Sequence, residues 1–241
     1  MKPWRTTIAV LALLIVITVN AQTDPHNWKV GDMITFTDAA AVTPPAYAIP
    51  PGTPGFPDGL FFGTMFEGVT NYKYTHQAVY TGNDSFLGAD GIGGVYVTSK
   101  EFMLSRVIGE PIISRFNVYS IVPPWFPRCL ANMLRHVIID RWIDKGMESL
   151  GQPYDVGIDG RSFLLGNNAK YCSELLWQSF KDAWGVELSA PVPAGALNYA
   201  AWTFILTPLG VQPEQGIITL EGLVKSRFFE IVSQPVDPDG C

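Results

Sequence analysis

The chain has 241 residues, 47% of them hydrophobic and only 16% charged, with a mean hydropathy of +0.16. That composition excludes disorder, which needs low hydrophobicity and high charge, and the length gives one domain with a full core. A net charge of −6, a pI of about 5.0 and the lack of a long basic stripe exclude a sequence-independent nucleic-acid binder; 23 Gly and 19 Pro without a period exclude collagen and solenoids.

Lys2 and Arg5 precede an apolar run from Ile8 to Val19, and Val19-Asn20-Ala21 places small residues at a cleavage position. The pattern predicts a signal peptide over residues 1–21 and a mature single domain over 22–241, secreted or periplasmic. The run is short for a membrane span, which needs about 20 apolar residues, and no later segment is long enough to be one. Cleavage leaves 14 Lys and Arg against 22 Asp and Glu, a net charge of about −8.

Val30 to Phe36 reads as a turn into a short strand with alternating sides. Residues 39–63 are rich in Pro and Gly, predicting a long loop, made apolar by Phe56, Leu60, Phe61 and Phe62. Thr75–Thr81 is expected as a strand with His76, Ala78 and Tyr80 on one side and Gln77 and Val79 on the other. Residues 91–94 turn into a strand at Val95–Val97, and Ile112–Val122 alternates well enough for a longer one. Leu130–Leu150 carries helical spacing, ended by Gly151-Gln152-Pro153; Ser173–Trp184 is a second helix ended by Gly185. Residues 217–232 hold a short helix and a closing strand. Antiparallel strands with helices at the side make an α+β domain.

Three cysteines, Cys129, Cys172 and Cys241, make no disulfide framework. The pairing that spares Cys172 is Cys129 with Cys241. Cys172 stands in Tyr171-Cys172-Ser173-Glu174-Leu175, at the start of a helix, where unpaired N–H groups and the helix dipole favour thiolate. A nucleophilic thiol also needs a base. Of three histidines, His26 lies in a polar segment, and His136, beside Arg135 and near Asp140, reads as a surface ion-pair residue. His76, on a strand beside Val79 and Tyr80, is the candidate base. A helix-initial Cys facing a strand His is the papain arrangement, here with the His first in the chain. Neither zinc spacing nor a phosphate-cradling Gly loop with a following Lys is present, so no cofactor or metal is expected.

With these pieces in hand, the chain resembles the circularly permuted branch of the NlpC-type papain-like cysteine amidases, the YaeF/YiiX-like proteins. The matching pieces are Gly31-Asp32-Met33-Ile34, Thr75-His76-Gln77-Ala78-Val79-Tyr80, Gly151-Gln152-Pro153-Tyr154-Asp155 and Tyr171-Cys172-Ser173-Glu174-Leu175, with a weaker fifth over residues 218–231. They follow the family's order and span most of residues 28–232. The resemblance implies a permuted papain-like fold, a small antiparallel sheet packed on helices. It implies Cys172 as nucleophile, His76 as base and Tyr154 near the thiol as an oxyanion donor. It departs at the third member of the triad: the position where the family carries a polar or acidic residue aligns with Gly88-Ala89, followed by Asp90. Asp90 is the candidate that would orient His76, with Asp84 and Gln77 as rivals.

The expected function is a thiol hydrolase or amidase working through an acyl-enzyme thioester. Its substrate is a small molecule, peptide or lipid-like acyl compound, such as a cell-wall peptide or a lipid-linked acyl group. Two other readings stand beside it. One is a lipid acyltransferase of the lecithin–retinol acyltransferase type; the other is a binding module that retains the fold without the chemistry.

Overall fold

The computed structural model describes residues 28–36, 48–49, 60–61, 76–90, 94–105, 111–155, 168–197, 207 and 210–232. Strand β1 (Met33–Phe36) is entered through Gly31, whose φ of +84° and position under the Ile139 side chain leave no room for a Cβ. β4 (His76–Gly82) and β5 (Ser85–Asp90) form a hairpin whose tip, Asn83-Asp84, has two positive φ angles, as a two-residue turn requires. β6 (Gly94–Ser99), β7 (Ile112–Phe116) and β10 (Phe229–Ile231) complete a six-stranded antiparallel sheet in the order β10-β7-β1-β4-β5-β6.

The helices are α1 (Lys100–Ser105), α2 (Arg128–Met147), α3 (Cys172–Trp184) and α4 (Leu220–Val224). The long pair α2 and α3 packs on one face of the sheet, where Met33, Val79 and Leu87 meet Ile139, Trp142, Leu176 and Phe180. Trp142 pins the two helices together, its indole N–H donating to Leu176 O and Ser179 Oγ. On the opposite face Ile34, Phe36, Ala78, Tyr80 and Phe86 pack with Trp28 and with Met103 of α1. Both faces of β1 and β4 are therefore covered, which is why every residue of β1 is buried.

The expected α+β architecture, the two long helices, the strand at His76 and the closing helix–strand pair are all present. Some expectations need correction. The strand starting at Ile112 stops at Phe116, because the Asn117 side chain accepts the Tyr119 N–H and caps a 3-10 turn over Val118–Ser120. Within the Pro/Gly-rich stretch, β2 (Ala48–Ile49) and β3 (Leu60–Phe61) pair antiparallel; the rest of that stretch lies outside the described residues. The strand aligned at Gly88-Ala89 starts earlier, at Ser85, and helix α1 adds to the expected elements. A further two-stranded pair joins β8 (Val192–Pro193) to β9 (Gly216–Ile217).

His136 is exposed on α2, while its neighbour Arg135 turns inward. It reaches back to Val30 O at 3.2 Å and to the buried Asp32 at 3.6 Å. Asp32 also takes a bidentate bond from Arg115, at 2.9 and 2.7 Å, so strand β7 and helix α2 are tied to the entry of β1 through one carboxylate. Cys129 is disulfide-bonded and Cys172 is free; Cys241, His26 and the expected signal peptide over residues 1–21 lie outside the described residues. Among the described residues no helix is long and apolar enough to cross a membrane.

Candidate active site

Cys172 is the first residue of α3, after Tyr171 in extended conformation at the N-cap. Its two neighbours fix it from both sides. The Tyr171 hydroxyl accepts the Ile218 N–H at 2.7 Å, and the Ser173 hydroxyl donates to Ile218 O at 2.8 Å. Both bonds are buried, so the first turn of α3 is clamped to a single residue of the closing segment. Around it runs a buried ion pair, Lys170 to Glu174 at 3.3 Å, spanning the thiol in i,i+4 spacing. Such a pair, desolvated on both sides, holds register more than it stabilises.

Tyr154 arrives from a separate direction. Gly94, with φ of +65°, lets the Gln152 carbonyl come against the start of β6, where a Cβ would collide with it; Val95 N–H then donates to Gln152 O at 2.8 Å. Two further backbone bonds, Lys170 N–H to Pro153 O (3.0 Å) and Asp155 N–H to Lys170 O (3.3 Å), zip residues 153–155 to the segment that leads into Cys172. The Tyr154 hydroxyl donates to the Cys172 sulfur as a consequence.

The sheet supplies the third contact. Tyr80 exchanges backbone bonds with Gly31 and Asp32, on the β1 side, so the alternate residues Gln77 and Val79 turn their N–H groups toward β5. The β4–β5 register, however, reaches only to Ala78 opposite Gly88. Beyond it the Gln77 N–H meets the Cys172 sulfur instead of a strand. His76 is next to Gln77, at the same end of β4. Its ring lies on the other sheet face, stacked on Phe36 with centroids 5.9 Å apart, and leans toward β5, where Nε2 sits 3.6 Å from the point a Cβ on Gly88 would occupy. Thiol and imidazole thus come to the mouth of the β4–β5 pair from opposite faces of the sheet.

Burial decides the state of the thiol. Cys172 is 1% exposed and His76 3%. Loss of water pushes the Cys172 thiol up to about 11, although the N–H groups of Gln77, Ser173 and Cys172 and the Tyr154 hydroxyl all pull the other way. The expectation of a thiolate favoured by the helix terminus is therefore corrected: desolvation outweighs the helix end, and the resting group is a neutral thiol. The same burial raises the neighbouring Tyr171 well above the usual phenol range.

Of the sequence candidates, Cys172, Tyr154 and the His76 end of β4 are brought together. Asp84 is not: it sits at the far tip of the hairpin, exposed, 3.8 Å from Lys100. The Gln77 side chain is held on the α3 face by bonds to Thr35 Oγ1 and Leu220 O, away from the imidazole ring. Asp90 closes β5 opposite Gly94, two residues beyond Gly88; its side chain lies outside the described residues. His136 is exposed on α2. The Gln77 N–H is the participant that sequence reasoning missed, since only the strand register shows that it lacks a strand partner. Among the described residues no group of three or more His, Cys, Asp or Glu side chains is placed to hold a metal ion.

No family model matches the chain, and no curated protein matches it. Among solved structures, the crystal structure of the metalloprotein YiiX from Escherichia coli O157:H7, a DUF1105 protein, superposes with a TM-score of 0.58. The fold is similar to that of YiiX. The match covers 86% of this chain and 97% of YiiX at 14% sequence identity, so the likeness extends over nearly the whole relative and speaks to fold alone.

Proposed function

We propose that this protein is a thiol hydrolase of the permuted NlpC-type papain-like fold, cleaving an amide or ester with Cys172 as nucleophile and His76 as base. The observation that carries the reading is the set of donors around one sulfur: Gln77 N–H from the sheet, Tyr154 hydroxyl from the 152–155 segment, and the N–H groups that open α3. Such donors converge where negative charge develops in acyl transfer.

The chemistry begins from a neutral thiol. Nε2 of His76 faces Gly88, leaving Nδ1 as the nitrogen to take the Cys172 proton as the sulfur attacks the acyl carbon. The carbonyl π electrons pass to oxygen, held by the Cys172 N–H and the Tyr154 hydroxyl. The oxyanion collapses, the C–N or C–O bond breaks, and the imidazolium returns its proton to the leaving group. Water then attacks the thioester, giving its proton to His76, and the acid and free thiol are released. The export expected from residues 1–21 belongs to the same proposal, with the substrate an extracytoplasmic peptide or acyl compound.

A second reading, a binding module that retains the fold, is favoured by one observation: a thiol 1% exposed and raised to about 11. A panel of aryl esters and amino-acid anilides, assayed with the wild-type protein and with Cys172→Ala, separates the two. Turnover that disappears in Cys172→Ala supports the hydrolase; no turnover on any member, with wild-type fold intact, supports the binding module.

A further inference from the structure

Of the three cysteines, Cys129 is disulfide-bonded within the chain and Cys172 is free, so elimination leaves Cys241 as the partner of Cys129. The link is within reach. From Val232, at the end of the closing segment, to Cys241 the chain can span up to about 30 Å. Glu230 of β10 and Arg128 of α2 line the same cavity of about 130 Å³, so the exit of β10 and the start of α2 are already neighbours.

The closing segment also carries the contacts that hold the thiol. Ile218 clamps the first turn of α3 through the Tyr171 and Ser173 hydroxyls, and Leu220 O accepts the Gln77 side-chain N–H. Its far end is β10, a three-residue edge strand that pairs with β7 alone among the described residues. Beyond it, Val232 N–H donates to Ile113 O at 2.9 Å. Chain ends of this kind fray at low free-energy cost. A covalent tie past β10 therefore guards the end from which the Ile218 clamp would be released. Cys172 is 1% exposed, so a reagent reaches it through such openings. Cys129 is itself exposed, at the second position of α2, where a reductant can meet the bond.

We propose that the Cys129–Cys241 disulfide is a reducible strap on the Cys172 site: while it holds, the closing segment opens rarely, and its reduction by a dithiol makes opening more frequent. One thiolate of the dithiol attacks the exposed Cys129 sulfur, the S–S bond breaks, and the Cys241 sulfur leaves as thiolate and takes up a proton. The second thiol of the reductant then displaces Cys129 from the mixed disulfide. The chain gains two electrons and two protons, and the dithiol ends as a disulfide. The strap governs the site of the proposed hydrolase, but access is read by alkylation, which needs no acyl turnover, so failure of one is told apart from failure of the other.

The test uses the full chain, digested first without reductant. A peptide carrying Cys129 joined to one carrying Cys241 is expected; Cys129 as a free thiol, or joined to a second chain, overturns the proposal. Cys129→Ser and Cys241→Ser are then compared with the wild type, with folding checked by circular dichroism. In both, iodoacetamide should alkylate Cys172 about tenfold faster or more, and the Val232 and Ile218 amides should exchange hydrogen faster by a similar factor. Wild-type protein treated with dithiothreitol under native conditions, then with iodoacetamide, reads the same change without a substitution, and there Cys129 and Cys241 should be modified before Cys172. An unchanged Cys172 rate in both variants and in the reduced wild type, or a bond that dithiothreitol leaves intact in the folded protein, overturns the proposal.

Discussion

The sulfur of Cys172 meets the sheet at the backbone N–H of Gln77, the first residue of β4 beyond the end of the β4–β5 ladder. That contact places the helix-initial thiol against the residue that follows His76 in the chain. Cys172 approaches this end of β4 from the α3 side of the sheet, and the His76 ring lies on the Phe36 side.

The raised thiol gives a pH prediction with a definite sign. A folded-state value of about 11, above that of an exposed thiol, means that the folded protein keeps its proton after the unfolded chain has lost it. Stability is therefore full below about pH 8.5 and falls as pH rises toward 11, by on the order of 3 kcal/mol from this group. Chemical denaturation across this range should show the loss, and Cys172→Ala should flatten part of it, the Tyr171 contribution remaining. In the native protein the iodoacetamide reaction of Cys172 should have its inflection near the same high pH, and at the ordinary thiol value after unfolding in urea.

A side chain at position 88 should improve the imidazole. A Cβ there would lie 3.6 Å from His76 Nε2 and 3.4 Å from Ala78 Cβ, both ordinary contact distances. Gly88→Asn therefore fits and sets a hydrogen-bond acceptor beside Nε2, fixing the tautomer that leaves Nδ1 as base. On an ester that the wild type hydrolyses, kcat should rise about tenfold or more with little change in KM. An unchanged kcat in a folded Gly88→Asn protein argues against His76 as the base.

The Lys170–Glu174 pair should be more sensitive to halving than to replacement. Lys170→Met leaves the wholly buried Glu174 carboxylate without its cation and should cost about 3–5 kcal/mol, measured by urea unfolding. Lys170→Met combined with Glu174→Leu should recover most of that loss. Equal losses in the single and double variants contradict the assignment of the pair as a register-holding contact.

Much of this fold was legible because its signals are local. The period-2 alternation from His76 to Tyr80 and the helical spacing from Leu134 to Trp142 are written in consecutive residues, and both elements formed. The helix-initial position of Cys172 was legible for the same reason. What was hidden is tertiary. The orphaned N–H of Gln77 depends on where β5 stops pairing, and the raised thiol depends on burial that cancels the helix-end effect. Arg115 and Arg135 are 20 residues apart and converge on Asp32 only because β1 lies between β7 and β4. Alternation continues through Asn117, whose side chain caps a turn instead, so the strand ends at Phe116 before the pattern does.

The role of Cys172 as nucleophile is read directly by intact-mass spectrometry of the protein quenched during reaction with an aryl acetate. One added acetyl group is expected, mapped to Cys172 and absent in Cys172→Ala, with acylation slowed about 100-fold or more in His76→Ala as general-base catalysis requires. Acetylation elsewhere with Cys172 unmodified, or acylation of Cys172 at the same rate in His76→Ala, would contradict it.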